Sequence, residues 1–279
     1  MEEKQEKKST KSRVLIYGTS IFCVFLTGIF ILNILAEKTE GSMRKQVGTL
    51  QEKKLYHKPL PQDNALINEQ KKTAAKKLQA EEKHKKVVYL TFDDGPSAAS
   101  SSILAQLKKY NAKATFFYLE PNMETYSNMV IQAHKEGHSI GLHGVTHNVK
   151  KVYATTTSVV EEMDRTNEEL EKIIDQKSML IRTPYGSKPY MNEKSIKNVE
   201  KAGYIIWDWD IDSRDWYYQD KRYVKDTIKQ LNSLKDRTPV ILMHERQATA
   251  KQLSQLLDYL DKQGYEFKAI NEYMEPVHF

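Results

Sequence analysis

The feature that most constrains the fold is a regular alternation of short apolar segments with longer amphipathic segments between residues 87 and 279. The apolar segments are rich in β-branched and aromatic side chains, which favours strands. They lie at 87–92, 114–119, 139–142, 179–182, 204–208, 240–243 and 267–270. Amphipathic stretches typical of helices lie between them, for example at 101–110, 155–174 and 249–263. This alternation predicts an α/β fold, a parallel sheet covered by helices that is either open or closed into a barrel.

Polar side chains follow most of these predicted strands. They are Asp93 and Asp94, His143, Arg182, Asp212 and Asp215, and His244. A single aspartate after a strand is more often a helix cap, but here five predicted strands end in a residue capable of acid–base or metal chemistry. Because parallel α/β folds carry their sites at the carboxyl ends of the strands, the sequence predicts a functional site at this edge.

Two histidines and an aspartate form a candidate metal site. His143 and His147 are four residues apart, so on a helical turn or a helix-like loop their imidazoles face the same way. Asp94 can complete a set of two imidazoles and one carboxylate. His134 and His138 have the same spacing, and we interpret them as a helix end and a residue that enters a strand. We expect one divalent ion on the first set, Zn²⁺ in the first place, with Co²⁺, Ni²⁺, Fe²⁺ or Mn²⁺ as alternatives.

The first 36 residues indicate a membrane anchor. Residues 14–36 are 23 residues without a charge, long enough as a helix to cross a hydrocarbon core of about 30 Å. Residues 1–13 carry five basic side chains, which predicts a cytoplasmic tail and places the remainder outside the cell membrane. A cleaved signal peptide stays open as the alternative, although its apolar core is usually only about 7–15 residues long.

Charge divides the rest of the chain into two parts. Residues 37–86 carry 13 basic and 7 acidic side chains, whereas residues 87–279 carry 25 basic and 27 acidic ones. We predict that 37–86 is a basic stalk, which is either attracted to anionic lipids or wall polymers or simply a soluble linker. Since the predicted folded part is slightly acidic, nucleic-acid binding is not expected. The only cysteine, Cys23, lies in the predicted anchor, which excludes an intrachain disulfide and a thiolate metal site.

Five ordered motifs carry a family resemblance. They are Thr91-Phe92-Asp93-Asp94-Gly95-Pro96, His143-x-x-x-His147, Arg182-Thr183-Pro184-Tyr185-Gly186, Asp212-Ser213-Arg214-Asp215-Trp216 and Leu242-Met243-His244. Over about residues 87–270 the chain resembles polysaccharide deacetylases of the NodB-homology type, carbohydrate esterase family 4. The resemblance implies a distorted (β/α)7 barrel for the domain 87–279, and metal-dependent hydrolysis of N-acetyl groups on a glycan.

The resemblance also implies a proton-transfer pair. Asp93, beside the ligand Asp94, would act as the general base. His244 would protonate the departing amine, a role that needs the imidazolium form. A carboxylate such as Asp215 would raise the pKa of His244 and hold its ring in place.

Four further residues have candidate roles, of which those of Tyr185, Trp216 and Leu242 come from the same resemblance and that of Arg182 from its permanent charge. The backbone N–H of Tyr185 would donate to the oxyanion, while its side chain is a candidate for the substrate groove. Arg182 would position carboxylates through a bidentate pair with Asp93 or Asp215, and the sequence leaves this choice open. Trp216 and Leu242 would line a small apolar pocket for the acetyl group.

Two residues depart from the pattern of the family. Gly144 follows the first histidine of the pair, where Ser or Thr is usual, and Asn148 follows the second, where Pro is usual. We expect the metal loop to be less fixed, with an effect on metal affinity and preference rather than on the ligands themselves. These departures are also the support for a hypothesis of another class, a catalytically silent glycan-binding or wall-anchoring module.

The predicted anchor and stalk suggest a substrate. An extended stalk of 50 residues could reach on the order of 150 Å from the membrane. N-acetylglucosamine in peptidoglycan is therefore the leading candidate. Chitin-like oligomers, an exopolysaccharide of N-acetylglucosamine and N-acetylmuramic acid are the alternatives. We expect a monomer held by one membrane span, with the domain 87–279 outside the cytoplasm.

Overall fold

The computed structural model describes residues 69, 73, 77, 86–235 and 237–279. They belong to one compact unit, Glu69–Phe279. The predicted cytoplasmic tail, the predicted anchor and most of the predicted stalk lie outside the described residues. Among the helices that the structure describes, none is both long enough and apolar enough to cross a bilayer.

Within the described residues, eight parallel strands form one sheet. They are β1 Val87–Gly95, β2 Thr115–Leu119, β3 Ser139–Gly144, β4 Leu180–Ile181, β5 Ile205–Ile206, β6 Ile211–Asp212, β7 Val240–His244 and β8 Glu266–Lys268. Their order across the sheet is β5-β4-β3-β2-β1-β7-β6, and β8 pairs with β1. The central strand β1 is buried along its whole length except at Asp94, as expected for a strand covered on both faces.

Helices cover the outer face of this sheet. In the described part of the chain they are α1 Ser100–Lys109, α2 Glu120–Thr125, α3 Ser127–Lys135, α4 Val149–Val152, α5 Ser158–Ile174, α6 Glu193–Lys201, α7 Asp215–Tyr218, α8 Arg222–Ser233 and α9 Gln247–Lys262. In the longest of them, α5, the buried residues Val159, Met163 and Leu170 are spaced by four and seven positions and so lie on one face. The helix stops at Asp175, which adopts a left-handed conformation with φ 55°.

The side chains of β1 alternate between two apolar cores. Val88, Leu90 and Phe92 join the larger core, which includes the buried faces of the helices. Val87 and Tyr89 join a smaller core on the inner, concave face of the sheet. Because side chains two residues apart in a strand share a face, Thr91 and Asp93 also point inward. The inner face is therefore apolar at its amino end and polar at its carboxyl end.

The predicted α/β fold with a parallel sheet is confirmed, and the sheet differs from a closed barrel of seven strands. Within the described residues β5 pairs only with β4, and β6 only with β7. Only residues 207–210 connect β5 to β6, too few for the crossover of a dozen or so residues that neighbouring parallel strands need. The fold is thus a half-barrel, and its extra strand β6 is too short to have given a sequence pattern.

Candidate metal centre and active site

The three predicted metal ligands come together at the carboxyl edge of the sheet. Oδ1 of Asp94 lies 3.3 Å from Nε2 of His147 and 3.6 Å from Nε2 of His143. One ligand atom from each residue falls within 4.8 Å of the other two. Asp94 and His147 both adopt positive φ, at 68° and 45°. The two histidines, four residues apart, are therefore brought together by a loop with a left-handed turn and not by a helix.

The chemistry of these atoms fits a divalent cation. Oδ1 of Asp94 is buried and has no hydrogen-bond partner among the described residues, whereas Oδ2 accepts a hydrogen bond from Nη2 of Arg246 at 3.1 Å. Nδ1 of His143 lies 2.6 Å from the carbonyl oxygen of Arg182. This contact assigns the proton to Nδ1 and directs the lone pair of Nε2 toward the carboxylate, as in metal-ligating histidines. A cation between the three residues would supply the partner that Oδ1 lacks.

The electrostatics favour the ligand-competent forms of two of these residues. Burial by itself would raise the pKa of Asp94, but the charges of His143, His244 and His147 outweigh it and lower that pKa. Burial lowers the pKa of His147, and the neighbouring His143 lowers it further. Metal ligands must be an ionised carboxylate and neutral imidazoles, which are the forms that these two shifts favour.

Arg182 is paired with Asp93, which settles the choice that the sequence left open. Nη1 of Arg182 donates to Oδ1 of Asp93 at 3.0 Å and to the hydroxyl of Thr91 at 2.6 Å. Nε and Nη2 donate to the carbonyl oxygens of Trp207 and Asp208 at 2.9 and 2.8 Å. The pair is a single hydrogen bond instead of the expected bidentate one, because backbone carbonyls occupy the other edge of the guanidinium.

This arrangement leaves one oxygen of Asp93 facing the ligands. Asp93 is only 3% exposed, and its Oδ2 lies 3.9 Å from Nε2 of His143. That oxygen is close to the ligand cluster, but Asp94 approaches the histidines more closely. Asp93 is therefore placed beside the candidate metal position.

His244 is held by a buried carboxylate. Its Nδ1 lies 2.8 Å from Oδ1 of Asp215, and its backbone N–H donates to Oδ2 at 2.8 Å. The hydroxyl of Thr249 donates to the same Oδ2 at 2.5 Å. Three hydrogen bonds thus fix Asp215, which begins α7 and is 1% exposed. The prediction that these two residues lie together is confirmed.

The same contacts set the protonation of His244. Burial by itself would lower the pKa of His244, but the hydrogen bond and the charge of Asp215 outweigh it and leave that pKa raised. Burial would raise the pKa of Asp215, and its hydrogen bonds with His244 and Thr249 lower it instead. The pair therefore favours an imidazolium next to a carboxylate.

Tyr185 borders the metal site on its solvent side. It has φ 66°, its side chain is 51% exposed, and its ring lies 4.8 Å from that of His147. The Tyr185 hydroxyl donates to the carbonyl oxygen of His147 at 3.2 Å. Its backbone N–H donates to no acceptor within the residues that the structure describes. This N–H is free to bind a negatively charged oxygen.

The two predicted pocket residues differ in exposure. Trp216 is 45% exposed, and its ring lies 5.8 Å from that of Tyr217. Leu242 is 4% exposed in β7, two residues before His244 and so on the same face of the sheet. Trp216 therefore offers an aromatic surface to solvent, whereas Leu242 lies buried at a position on the inner face next to His244.

Two charged residues that contact the site were missed by sequence reasoning. Arg246 donates to the ligand Asp94, and Glu162 of α5 accepts hydrogen bonds from the loop between the two histidines. In the sequence, a charged helix residue that binds a loop, such as Glu162, looks the same as a charged helix residue that faces solvent. Arg246 lies two residues after His244, and this position was the only local signal for its role.

Comparison with known proteins identifies the family. A family model described as polysaccharide deacetylase matches residues 80–207. YheN of Bacillus subtilis (strain 168), a protein named as a polysaccharide deacetylase, is 46% identical over 197 residues. The match covers 69% of this chain and 70% of that protein. A peptidoglycan-N-acetylglucosamine deacetylase of Bacillus cereus is 38% identical over 218 residues, covering 76% of this chain and 78% of that protein. The crystal structure of the polysaccharide deacetylase Bc1974 from Bacillus cereus superposes with a TM-score of 0.65 at 36% identity, covering 70% of this chain and 97% of that one. This chain therefore belongs to the polysaccharide deacetylase family of hydrolases.

Proposed function

We propose that this protein removes N-acetyl groups from N-acetylglucosamine residues of peptidoglycan by metal-dependent hydrolysis. The observation that carries the proposal is the cluster of Asp94, His143 and His147. Asp93 lies beside this cluster, and His244, paired with Asp215, lies on the strand next to that of Asp93. Two relatives from Bacillus cereus, 38% and 32% identical to this chain, are named peptidoglycan-N-acetylglucosamine deacetylases. Their names support the choice of glycan.

The metal in this proposal is Zn²⁺ held by Asp94, His143 and His147, with Co²⁺, Ni²⁺, Fe²⁺ and Mn²⁺ as alternatives. When bound, such an ion activates water as a nucleophile and polarises the acetyl carbonyl. The unpaired Oδ1 of Asp94 and the orientation of His143 support this site.

Asp93 is the proposed general base. Arg182 occupies its Oδ1, which leaves Oδ2 on the side of the ligands to accept a proton from the attacking water. The buried guanidinium keeps the carboxylate in this orientation through bonds to two backbone carbonyls. A base positioned in this way contributes about 10²–10⁴-fold to a rate.

His244 is the proposed general acid, and Tyr185 is the proposed oxyanion donor. Asp215 accepts from Nδ1 of His244, so that Nε2 of the imidazolium carries the proton for the departing amine. The backbone N–H of Tyr185 donates to the oxygen of the acetyl group as negative charge develops there. Loss of one such donor typically costs about 3–4 kcal/mol of transition-state stabilisation.

Exposed aromatic side chains beside His147 and directly after Asp215 suit a carbohydrate. Tyr185, Trp216 and Tyr217 are exposed aromatic residues with exposed fractions of 51%, 45% and 67%. Aromatic rings combine an apolar face with polar edges, which matches the C–H face and the hydroxyl rim of a sugar ring. We propose that Trp216 and Leu242 contact the acetyl group and that the side chain of Tyr185 borders the sugar.

The experiment that tests the function is acetate release by the purified protein with added Zn²⁺. Peptidoglycan, N-acetylglucosamine oligomers and an N-acetylglucosamine exopolysaccharide are compared as substrates, and mass spectrometry locates the free amine. Release from peptidoglycan, with the amine on glucosamine, is the expected result. Acetate from the oligomers alone would overturn the choice of substrate, and no acetate from any glycan would overturn the activity.

We also propose that residues 14–36 anchor the protein in the cell membrane, with the domain outside the cytoplasm. The uncharged length of this segment and the basic residues before it support the anchor. The basic stalk 37–86 would then place the domain within reach of the wall. Retention in the membrane fraction after a salt wash, together with digestion of the domain by protease added to protoplasts, tests both points.

A further inference from the structure

The loop between the two histidine ligands is bound by a carboxylate from a distant helix. Oε2 of Glu162, on α5, accepts hydrogen bonds from the backbone N–H groups of Val145 and Thr146 at 2.9 and 3.1 Å. Its Oε1 accepts a hydrogen bond from the hydroxyl of Thr146 at 2.5 Å. One side chain thus binds three donors of a loop that spans only the residues between His143 and His147.

These contacts are of a kind that fixes backbone geometry. Backbone N–H groups in a loop lack the regular partners of a helix or strand, and each needs an acceptor or water. Hydrogen bonds from N–H groups to an ionised carboxylate are shorter and stronger than those to neutral acceptors. Glu162 is half-buried, so its carboxylate is partly shielded from competing water.

Gly144 leaves the space in which this carboxylate lies. A Cβ atom at position 144 would lie 2.8 Å from Oε2 of Glu162 and 3.6 Å from its Cβ. The φ of Gly144 is +92°, a conformation that residues with a side chain rarely adopt. Glycine at this position therefore suits both the backbone conformation and the position of the Glu162 carboxylate.

Asn148 caps the helix that follows the loop. Oδ1 of Asn148 accepts a hydrogen bond from the backbone N–H of Lys150 at 3.0 Å and caps α4. Asparagine is a favoured residue at such a cap. The loop of His143 and His147 is thus held on one side by Glu162 and is followed directly by a capped helix.

We propose that Glu162 is the positioning residue of the metal loop, and that Gly144 leaves room for the Glu162 carboxylate beside the loop. In this arrangement a carboxylate on α5 sets the backbone path from His143 to His147, and thereby the distance between the two imidazole nitrogens. The inference rests on the proposed metal site and goes beyond it, because Glu162 is not one of the ligands.

The main test compares Glu162→Ala with the matched control Glu161→Ala in the whole protein. Glu161 is the exposed neighbour on α5, and its carboxylate accepts from Thr157 at 2.8 Å rather than from the metal loop. Competition with a chelator measures the affinity for Zn²⁺, and the absorption spectrum with Co²⁺ reports the coordination geometry. We expect Glu162→Ala to weaken Zn²⁺ binding about 10- to 100-fold, as for other residues that orient metal ligands, and to change the Co²⁺ spectrum. Glu161→Ala should leave both unchanged.

Glu162→Gln is the conservative variant. Its amide oxygen can still accept from both backbone N–H groups, so it should recover most of the lost affinity. Wild-type affinity in Glu162→Ala, or an equal loss in Glu161→Ala, would overturn the inference.

A second measurement keeps the test independent of metal. In metal-free protein the amide hydrogens of Val145 and Thr146 should exchange slowly, and Gly144→Ala should speed their exchange. The increase should be larger in the wild-type background than in Glu162→Ala, because backbone strain acts in both and only the wild type has a carboxylate to displace. If the wild-type protein binds no cation, the proposed function fails, whereas slow exchange at these two amides still supports the role of Glu162. Equal exchange in the wild type and in Gly144→Ala would overturn that role.

Discussion

Asp93 and His244 are directly opposite partners in the parallel pairing of β1 with β7. Their side chains share the inner face of the sheet, because in-register neighbours in a sheet point the same way. Neighbouring strands lie about 4.8 Å apart, so the backbone of the sheet itself fixes the spacing of the proposed base and the proposed acid. Loops position the metal ligand His147 and the proposed oxyanion donor Tyr185, but not this pair.

Asp93→Asn should separate proton transfer from metal binding. The amide has the shape of the carboxylate and can still accept the hydrogen bond from Arg182, but it is not a base at neutral pH. We expect kcat for acetate release to fall about 10²–10⁴-fold, while elemental analysis finds the same metal content as in the wild type. A parallel loss of metal would mean that Asp93 is a ligand.

Asp215→Asn should shift the pH dependence of the rate. The hydrogen bond and charge of Asp215 raise the pKa of His244 against the effect of burial, so the protonated acid persists to higher pH in the wild type. Without the carboxylate the pKa of His244 falls, and the alkaline limb of the kcat profile should move to lower pH. The acidic limb should stay in place, since it reports the base. An unmoved alkaline limb would exclude His244 as the acid.

Trp216→Ala should weaken the binding of glycan more than it slows the reaction. Removal of the exposed ring takes away one aromatic face for a sugar, and we expect KM for N-acetylglucosamine oligomers to rise about tenfold, roughly 1.4 kcal/mol. Trp216→Phe keeps an aromatic ring and should lose less. The measurement is KM and kcat across oligomer lengths. If Trp216→Phe and Trp216→Ala gave the same KM as the wild type, the ring would have no part in binding.

His138 should make the protein less stable in mild acid. Burial and the charge of Lys113 lower the pKa of His138 to about 4, and its Nδ1 accepts a hydrogen bond from the backbone N–H of Ala114 at 3.1 Å. The unfolded chain, with a pKa of about 6.5, binds the proton more tightly, so stability falls as pH drops from about 6.5 to 4, by up to about 3 kcal/mol. Urea unfolding at pH 7 and pH 4.5 measures the loss. His138→Asn, which keeps an acceptor but cannot titrate, should lose less, and an equal loss in both proteins would exclude His138 as the cause.

The strands that the sequence predicted best are those with uninterrupted apolar runs. The predicted ranges 87–92 and 240–243 match the mainly apolar parts of β1 and β7, because burial on both faces favours apolar residues at successive positions. Strand β6 was not predicted. Its two residues form a strand through pairing with β7, and a contact with a segment that lies far along the chain leaves no local pattern.

The same distinction between local and distant contacts applies to the site. The ligands and the proposed base and acid could be identified because each lies inside a short motif. The partner of Arg182 could not, since Asp93 is 89 residues away in the sequence and only the fold brings the two together. Glu162 could not be identified for the same reason, and its position on an amphipathic helix suggested a solvated charge.

The contacts of Glu162 also predict how this region can vary between related sequences. Backbone N–H groups are present whatever the side chain, so the contact from Val145 places no demand on the identity of residue 145. Positions 144 and 162, in contrast, share one volume. In related chains we expect them to change as a pair, with glycine accompanying a long acidic residue and a hydroxyl-bearing residue accompanying a shorter one.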